Sequence, residues 1–268
     1  MTVYEGDIVT CDNNNSIYKY LVEDKGKILY VGEKLPEEYK KSEKIILGAK
    51  ALLPSFCDTH IHYSSYSLFA SLPDIRGLKS IDEILQFLKE SEKTNKLNFI
   101  LSFGASAHGV AEKRLILKEE IDKIFPDKPV MIIKYDGHAC IVNGRMLEVL
   151  PDKIKSIRGF HFDTGELNQE AFFFATDFIT GKIPTLNLIG NMVKGIDRLA
   201  EKGIGMIHTV EGVGFPKDMD VDLAVTLAKG LRNPFQMRIF FQTMDILKVT
   251  KRKLPRIGGC FATALDGC

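Results

Sequence analysis

The sequence predicts an α/β protein whose main part is a parallel barrel of the TIM type, (β/α)8, incomplete in this chain and preceded by a small β subdomain. From about residue 52 onward, short apolar segments alternate with helical segments of roughly 10 to 18 residues, which is typical of βα units. Polar residues follow several of the apolar segments, as expected at the face of a barrel where strands end. A doubly wound sheet is the alternative, although no glycine-rich turn follows the first strand.

Short strands and turns are predicted for the first 52 residues. The second and third of these strands flank a polar turn at 23–26, so they predict a hairpin. Any small β module fits this pattern. Residues 1–52 are therefore separated as an N-terminal domain from a second domain over 53–268. The strands are expected, in order, at 7–10, 17–22, 27–32 and near 45–47.

Strands and helices alternate through the rest of the chain. Ser80, with Glu83 three positions later, predicts a capping box at the start of a helix. Pro126 and Pro151 end two further helices. After a first strand that begins near Leu52, strands are expected at 98–104, 130–135, 204–209, 235–241 and 257–265. Helices are expected at 81–88, 115–125, 143–150, 185–202, 218–232 and 245–253.

The number of predicted strands indicates that the barrel is incomplete. About six strands follow Leu52, whereas a closed barrel of this type needs eight. The last predicted strand runs almost to Cys268, so its helix and its sheet partner would be missing. We therefore expect this chain to be the N-terminal portion of a longer protein. Segment 151–184 is expected to be a lid-like insertion over the strand ends.

Composition argues against several functional classes. The 268 residues are 45% hydrophobic and 26% charged, with a formal net charge of +1, which gives no basis for binding nucleic acid. No apolar run approaches the ~20 residues that span a membrane. The five cysteines form no C-x-x-C pair, so neither a disulfide framework nor a cysteine zinc site is expected. We expect a cytoplasmic homo-oligomer, a dimer, that acts on a small molecule.

The segment from Pro54 to His62 carries the strongest functional signal. The chain turns polar at Asp58, and two histidines follow, His60 and His62. On a strand these two side chains point to the same face about 6 Å apart, where neutral imidazoles can hold one divalent metal. On the residues alone, a strand end whose polar side chains face water is the alternative.

The same nine residues, Pro-Ser-Phe-Cys-Asp-Thr-His-Ile-His, resemble the first-strand metal motif of the amidohydrolase superfamily, with Ser55 in place of the usual glycine. The resemblance implies that His60 and His62 bind one or two divalent ions, with zinc expected ahead of manganese, iron or nickel. Asp58 is a candidate for orienting a ring nitrogen of the pair. The N-terminal strands, with Gly-Lys-Ile-Leu-Tyr-Val-Gly-Glu at 26–33, would belong to the β-sandwich of that superfamily.

Two later segments resemble the YtcJ-like amidohydrolases (amidohydrolase family 3). Residues 136–143, Asp-Gly-His-Ala-Cys-Ile-Val-Asn, are similar to that family's DGHsxxxN segment, which implies a place for His138 at the substrate or metal site. Capping of the next helix is the alternative for His138. Residues 163–171 look like the family's TG.L.E.A insertion, so Glu170 is the candidate third metal ligand and Glu166 a candidate substrate contact. Both glutamates also fit a solvated loop.

Two more histidines follow predicted strands and are candidates for lining the pocket. His208 lies near the end of 203–209, which is similar to the family's GvTsvhD strand, and His108 follows the second strand. His161 is expected in a loop.

The final segment departs from the family pattern. Residues 257–267 resemble the strand GvKlfxDGs, in which a lysine, often carbamylated, bridges two metals, but Ala262 occupies the place of that lysine. A mononuclear site, or a bridge from Glu170 or Glu166, is therefore expected. The family's catalytic aspartate, which acts as general base, is expected beyond Cys268.

The resemblance implies hydrolysis of a C–N bond in an amide or cyclic amide. A divalent metal would activate water for attack on the carbonyl carbon, and a carboxylate would pass a proton to the leaving nitrogen. Two alternatives differ in class. One is a catalytically incomplete fragment, or metal-binding remnant, of such an enzyme, and the other is an α/β domain that binds a small molecule without metal.

Overall fold

The computed structural model describes residues 1–212, 216–231, 233–242, 246–251 and 257–260. Within these ranges the chain forms three four-stranded sheets. The strands are β1 (Thr2–Val9), β2 (Ile17–Asp24), β3 (Lys27–Gly32), β4 (Glu43–Leu52), β5 (Phe56–Ile61), β6 (Ile100–Ala105), β7 (Val130–Lys134), β8 (Ala139–Val142), β9 (Glu166–Asn168), β10 (Ile204–Glu211), β11 (Gln236–Gln242) and β12 (Ile257–Cys260). The helices are α1 (Tyr63–Phe69), α2 (Ile81–Glu92), α3 (Lys118–Ile124), α4 (Gly144–Val149), α5 (Gln169–Thr180), α6 (Thr185–Ala200), α7 (Met219–Gly230) and α8 (Ile246–Lys251).

The first sheet is formed by the N-terminal module, with its strands in the order β3-β2-β1-β4. Strand β2 pairs antiparallel with both β1 and β3, so the predicted hairpin is confirmed. Strand β4 pairs with β1 in parallel and is longer than the strand predicted near 45–47. In the described residues this module is a single sheet, so the second layer of the expected β-sandwich stays a prediction.

The second sheet contains the histidine strand. Its strands lie in the order β5-β10-β11-β12, and all neighbouring pairs are parallel. Four adjacent strands of a parallel barrel would have this order. Closure into a barrel does not occur within the described ranges and stays a prediction.

The predicted count of about six barrel strands needs correction, because two of the expected strands belong to a third sheet. This sheet has the order β6-β7-β8-β9, in which β6 and β7 are parallel and the other pairs are antiparallel. Strand β5 does not pair with β6, the next strand in the chain, but with β10. Apolar segments that precede helices look alike in both sheets, so the sequence pattern identifies strands without identifying their partners.

Both faces of the third sheet are buried. In β7, Val130 and Ile132 contribute to one apolar cluster, which includes residues of α2 and α3. Met131 and Ile133 contribute to the other and larger cluster, together with residues of α1, α4, α5 and α6. Because helices cover both faces, β7 is apolar at four consecutive positions, as strands of a two-sided sheet usually are.

The segment 151–184, predicted as a lid-like insertion, contains strand β9 and helix α5. Leu167 of β9 pairs with Cys140 of β8. Helix α5 buries Ala171, Phe172 and Ile179 in the larger apolar cluster. The segment is therefore part of the folded core, and a lid movement stays a prediction.

Helix α1, which the sequence pattern does not predict, begins directly after His62. It packs against α6, where the Tyr63 hydroxyl donates a hydrogen bond to the carbonyl oxygen of Met192. A Cβ atom at Gly195 would lie 2.5 Å from Ser67 Oγ, so glycine permits the close approach of the two helices. The helices in the described ranges include none that is both long and apolar enough to cross a membrane.

Of the two hydrogen bonds that make up the capping box predicted at the start of α2, one is confirmed. The Ser80 side chain accepts a hydrogen bond from the Glu83 backbone N–H at 3.2 Å. The Glu83 carboxylate, however, accepts from the backbone N–H of Lys79 at 2.7 Å instead of from Ser80.

Asn143 connects β7, α4 and the chain before β7 through one fully buried side chain. Its Oδ1 accepts hydrogen bonds from the backbone N–H groups of Val130 (2.9 Å) and Met146 (3.0 Å), the latter as the N-cap of α4. Its Nδ2 donates to the carbonyl oxygens of Phe125 and Lys128, each at 3.0 Å. The amide thus uses donors and acceptors that a non-polar residue could not replace.

We expect Asn143→Ala to lower the free energy of unfolding by about 2–4 kcal/mol, because buried backbone groups lose their partners and a helix loses its N-cap. Urea denaturation followed by circular dichroism measures this change. Asn187→Ala, at an exposed position of α6, is the matched control and should stay within about 0.5 kcal/mol of the parent protein. Equal effects of the two substitutions would contradict this role of Asn143.

Candidate functional site

A cavity of about 580 Å³ lies beside the end of β5. One wall carries His62, at the start of α1, together with the α1 residues Tyr66 and Phe69. A second wall is the β7–β8 turn, Asp136–His138, and a third is helix α5. The second sheet and the third sheet with its helices therefore both contribute to this cavity, which has the usual size of a small-molecule site.

The two motif histidines are neighbours at the end of β5. The ring centroids of His60 and His62 are 5.7 Å apart, and the ring planes make an angle of 81°. Two imidazoles that share one ion at Zn–N distances of ~2.1 Å place their centroids about 5 Å apart. The pair is therefore arranged in a way that fits one divalent ion after small side-chain rotations.

The ring of His62 is oriented by the neighbouring strand. Its Nδ1 lies 2.9 Å from the carbonyl oxygen of Val210, which can only accept a hydrogen bond. Nδ1 therefore carries the proton, and Nε2 keeps its lone pair for a metal or a substrate. Burial lowers the pKa of His62, and the positive charges of His60 and His138 lower it further. These effects favour the neutral imidazole that metal binding requires.

Side chains of β10 also hold the bend between β5 and α1. Thr209 Oγ1 accepts a hydrogen bond from the Tyr63 backbone N–H at 3.0 Å and lies 3.2 Å from the carbonyl oxygen of Ile61. The Glu211 carboxyl group accepts from the Ser64 backbone N–H at 3.1 Å. The position of His62 is thus set on both sides by side chains at the end of β10.

Glu211 is 1% exposed, an unusual position for a carboxyl group. Burial raises its pKa to about 8, and the negative charge of Asp220 adds to the shift. Glu211 is therefore largely protonated at neutral pH in the metal-free chain. The sequence analysis did not identify this residue, although a glutamate at the end of the apolar strand Ile204–Glu211 was a signal that could have been used.

His138 lies in the same cavity as His62, and its role at the substrate or metal site stays a prediction. It sits in the turn between β7 and β8, where Asp136 Oδ1 accepts its backbone N–H at 3.0 Å. The predicted strand-to-helix junction is in fact this turn followed by a further strand, β8. The capping role considered for His138 belongs to Asn143.

The structure does not bring the two candidate glutamates to the histidine pair. Glu170 lies in the first turn of α5, where its exposed carboxylate is 3.9 Å from Arg158. Glu166 belongs to β9 and pairs with Ile141 of the third sheet. In the described ranges no three histidine, cysteine or acidic side chains are grouped so that they could hold a metal ion. Glu170 therefore does not lie where it could join His60 and His62 as a third metal ligand.

The remaining candidates lie near strand ends but outside the lining of the cavity. Asp58 accepts the backbone N–H of His60 at 3.0 Å, so it fixes the backbone of the motif and not a ring nitrogen. His208 is half-buried with its ring 5.7 Å from that of Phe240. His108 is exposed in the loop after β6. Ala262, predicted to replace a bridging lysine, lies outside the described residues.

Helix α5 supplies site residues that sequence reasoning missed. Phe172, Phe173, Thr176 and Asp177 all line the cavity. Their spacing of one turn places them on one side of the helix. The sequence Phe-Phe-Phe-Ala-Thr-Asp-Phe at 172–178 contains this one-turn spacing. The same spacing also fits the border between the buried and solvated faces of an ordinary amphipathic helix.

Comparison with known proteins agrees with the motifs. A sequence model of the Amidohydrolase family matches residues 47–229, which is more than half of the chain. The Bacillus subtilis protein YtcJ, named as an amidohydrolase, is 31% identical over 142 residues, which cover 51% of this chain and 26% of YtcJ. The exoenzymes regulatory protein AepA of Pectobacterium carotovorum is 23% identical over an alignment of 285 residue positions, which covers 96% of this chain and 59% of AepA.

A solved structure has the same fold over most of this chain. It is an uncharacterized metal-dependent hydrolase from Pyrococcus horikoshii, with a TM-score of 0.70 and 23% sequence identity. The match covers 96% of this chain and 53% of the Pyrococcus chain. This chain therefore spans about half the length of the solved relative and 59% or less of the two curated relatives.

The stability of the metal-free chain should depend on pH through Glu211. The folded chain retains the proton of Glu211 up to about pH 8, whereas an unfolded glutamate loses it near 4.3. Between these values the folded state binds more protons than the unfolded state, so the contribution of Glu211 to stability falls as the pH rises. Glu211→Gln removes this dependence, and its stability relative to the parent should rise by about 2–5 kcal/mol from pH 5 to pH 8.

Urea denaturation at pH 5, 6.5 and 8, in the presence of a chelator, measures the difference. Glu119→Gln, at an exposed position of α3, is the control and should show no such trend. A difference between Glu211→Gln and the parent that stays constant with pH would rule out a protonated Glu211 in the folded chain.

Proposed function

Because the chain belongs to the amidohydrolase family, in its family 3 branch, we propose that it takes part in metal-dependent hydrolysis of a C–N bond in an amide or cyclic amide. The observation that carries the proposal is the His60–His62 pair, in which the Val210 carbonyl leaves His62 Nε2 available as a ligand. The Pyrococcus protein with the same fold is described as a metal-dependent hydrolase, which supports the same reaction class.

His60 and His62 would hold the ion, for which zinc is the first choice because neutral imidazoles suit it well. A divalent ion held by these histidines would supply Lewis-acid chemistry, namely activation of water and polarisation of a carbonyl group. The carbonyl oxygen of Val210 keeps His62 in the tautomer that can bind metal. Tyr66, Phe69 and helix α5 shield one side of the cavity from water, which strengthens electrostatic interactions within it.

The other ligands and the general base are proposed to come from residues outside the described part of this chain. In the described ranges no third ligand joins the histidine pair. The relatives extend well beyond the matched regions, since the chain spans 53% of the Pyrococcus chain and 59% of AepA. The proposed hydrolytic activity therefore requires a protein that contains these further ligands and the general base.

A second candidate function is favoured by the same absence of a third ligand within the described residues. In this case the chain binds a metal weakly through two histidines and has no turnover of its own. We also propose, from the sequence, that the substrate is a small molecule, that the protein is a dimer and that it is located in the cytoplasm.

Metal binding should depend on both motif histidines. We expect His60→Ala and His62→Ala each to weaken zinc binding at least tenfold, because each removes one of two neighbouring imidazole ligands. Competition with a chromophoric chelator measures the dissociation constant. His161→Ala, which removes an exposed histidine outside the cavity, is the matched control and should leave zinc binding unchanged.

Turnover of a panel of amides and cyclic amides, measured on this chain and on a longer version with zinc, separates the two candidates. Hydrolysis by the zinc-loaded longer version supports the proposed reaction, and zinc binding without hydrolysis supports the second candidate. If His60→Ala and His62→Ala bind zinc as tightly as the parent, the proposed metal site is wrong.

A further inference from the structure

The cavity beside His62 has a wall whose chemistry the proposed reaction does not use. Helix α5 presents two polar residues, Thr176 and Asp177, to the cavity, one turn after Phe172 and Phe173. The buried side of the same helix packs into the larger apolar cluster through residues such as Ala175. The wall is therefore a fixed part of the core and not a loose surface loop.

The hydroxyl group of Thr176 has no hydrogen-bond partner among the described residues. The residue is only 8% exposed, and its Oγ1 atom is fully buried. A threonine within a helix usually bonds its hydroxyl to the carbonyl one turn earlier, as Thr180 does with Thr176 at 2.8 Å. This oxygen has no surface open to the cavity, so Asp177 is the residue of α5 that can make a polar contact with a ligand there.

The carboxylate of Asp177 has neither a hydrogen bond nor an ion pair within the described part of the chain. Burial raises its pKa to about 6, and the negative charges of Asp220 and Asp218 add to the shift. The group is still ionised above about pH 7. Asp136, the other acidic residue of the cavity, differs because Lys134 lies 3.5 Å from it.

The described lining of the cavity includes no lysine or arginine. In the metal-free chain, a ligand carboxylate beside Asp177 would therefore meet its negative charge without a lysine or arginine of the described lining to compensate it. A ligand ammonium group would instead gain an ion pair with Asp177 that is only partly screened by water.

The rest of the wall is aromatic. Phe172 and Phe173 meet edge to face with centroids 5.3 Å apart, and Tyr66 and Phe69 of α1 line the cavity as well. Phe69 is itself stacked on Phe103 at 4.9 Å. Aromatic faces attract both apolar groups and cations, so they favour the same kind of ligand as Asp177.

We propose that Asp177 forms a recognition site for a protonated amine, and that the cavity selects amides with an aromatic body and an ammonium group. The ammonium group donates hydrogen bonds to the Asp177 carboxylate, and the aromatic body lies against Phe173, Tyr66 and Phe69. The amide part of this ligand class rests on the proposed function, whereas the preference for positive charge rests on α5 alone.

Binding of three matched probes to the metal-free chain at pH 7.5 tests the proposal. The probes are N-benzylacetamides with an aminomethyl, a hydroxymethyl or a carboxylate group in the para position. Titration calorimetry should show that the aminomethyl probe binds about tenfold more tightly than the hydroxymethyl probe, and that the carboxylate probe binds most weakly. Equal affinities for the three probes, or no binding of the aminomethyl probe, would overturn the proposal.

Variants assign the preference to α5. Asp177→Asn should bring the aminomethyl and hydroxymethyl probes within twofold of each other, and Asp177→Glu should restore part of the preference. Asp152→Asn, at a side chain that is 92% exposed, is the control and should keep the tenfold preference. Unchanged binding of the hydroxymethyl probe to Asp177→Asn verifies that this variant is folded, and a preference that survives in this variant overturns the assignment.

The binding assay is independent of turnover, so the two proposals can fail separately. A charge preference without hydrolysis of any amide by the zinc-loaded longer version leaves this recognition site in place and refutes the proposed reaction. Hydrolysis of amides without a charge preference would support the proposed reaction and refute this recognition site.

Discussion

The parallel pairing of β5 with β10 is the constraint on which the rest of the structure depends. The strands are matched from Phe56 with Ile204 to Ile61 with Thr209, and 148 positions separate His62 from Val210. Closing a segment of this length costs about 4 kcal/mol of chain entropy beyond a constant term, and this cost grows only slowly with length. The intervening residues meet the constraint by folding into a third sheet that has helices and apolar contacts on both faces.

The end of β5, where the chain bends into α1, shows what the pairing of β5 with β10 requires of the local structure. A parallel strand offers backbone partners to alternate residues of its neighbour, and these run out where β5 bends into α1. There Thr209, Val210 and Glu211 each accept a hydrogen bond from one of the three residues His62–Ser64. One of the acceptors is a buried carboxyl group whose charged form is disfavoured, so the bend is stabilised through a neutral acid. The orientation of His62 therefore depends on residues far away in sequence.

Local patterns were sufficient to predict the histidine pair and most elements, because the residues that carry them are close together in the chain. The hairpin at 23–26 and the helix after Ser80 follow from turn chemistry and capping. Strand partners could not be predicted, since β6 and β7 are apolar on both faces for the same physical reason as barrel strands are. Asp177 was missed because a polar residue at the border of an amphipathic helix usually faces water, and only the position of α5 turns that border towards a cavity.

The division of the cavity between two sheets suggests a separation of chemistry from recognition. His60 and His62 lie at the end of β5, and His62 is oriented by β10 within the parallel sheet. Phe172, Phe173 and Asp177 lie on α5, which is supported by the larger apolar cluster beside the third sheet. The residues of α5 that line the cavity take no part in the hydrogen bonds that orient His62 and the start of α1. The segment of about 140 residues between the two paired strands can therefore vary in length without losing their pairing, since the entropy of closing that segment depends only weakly on its length.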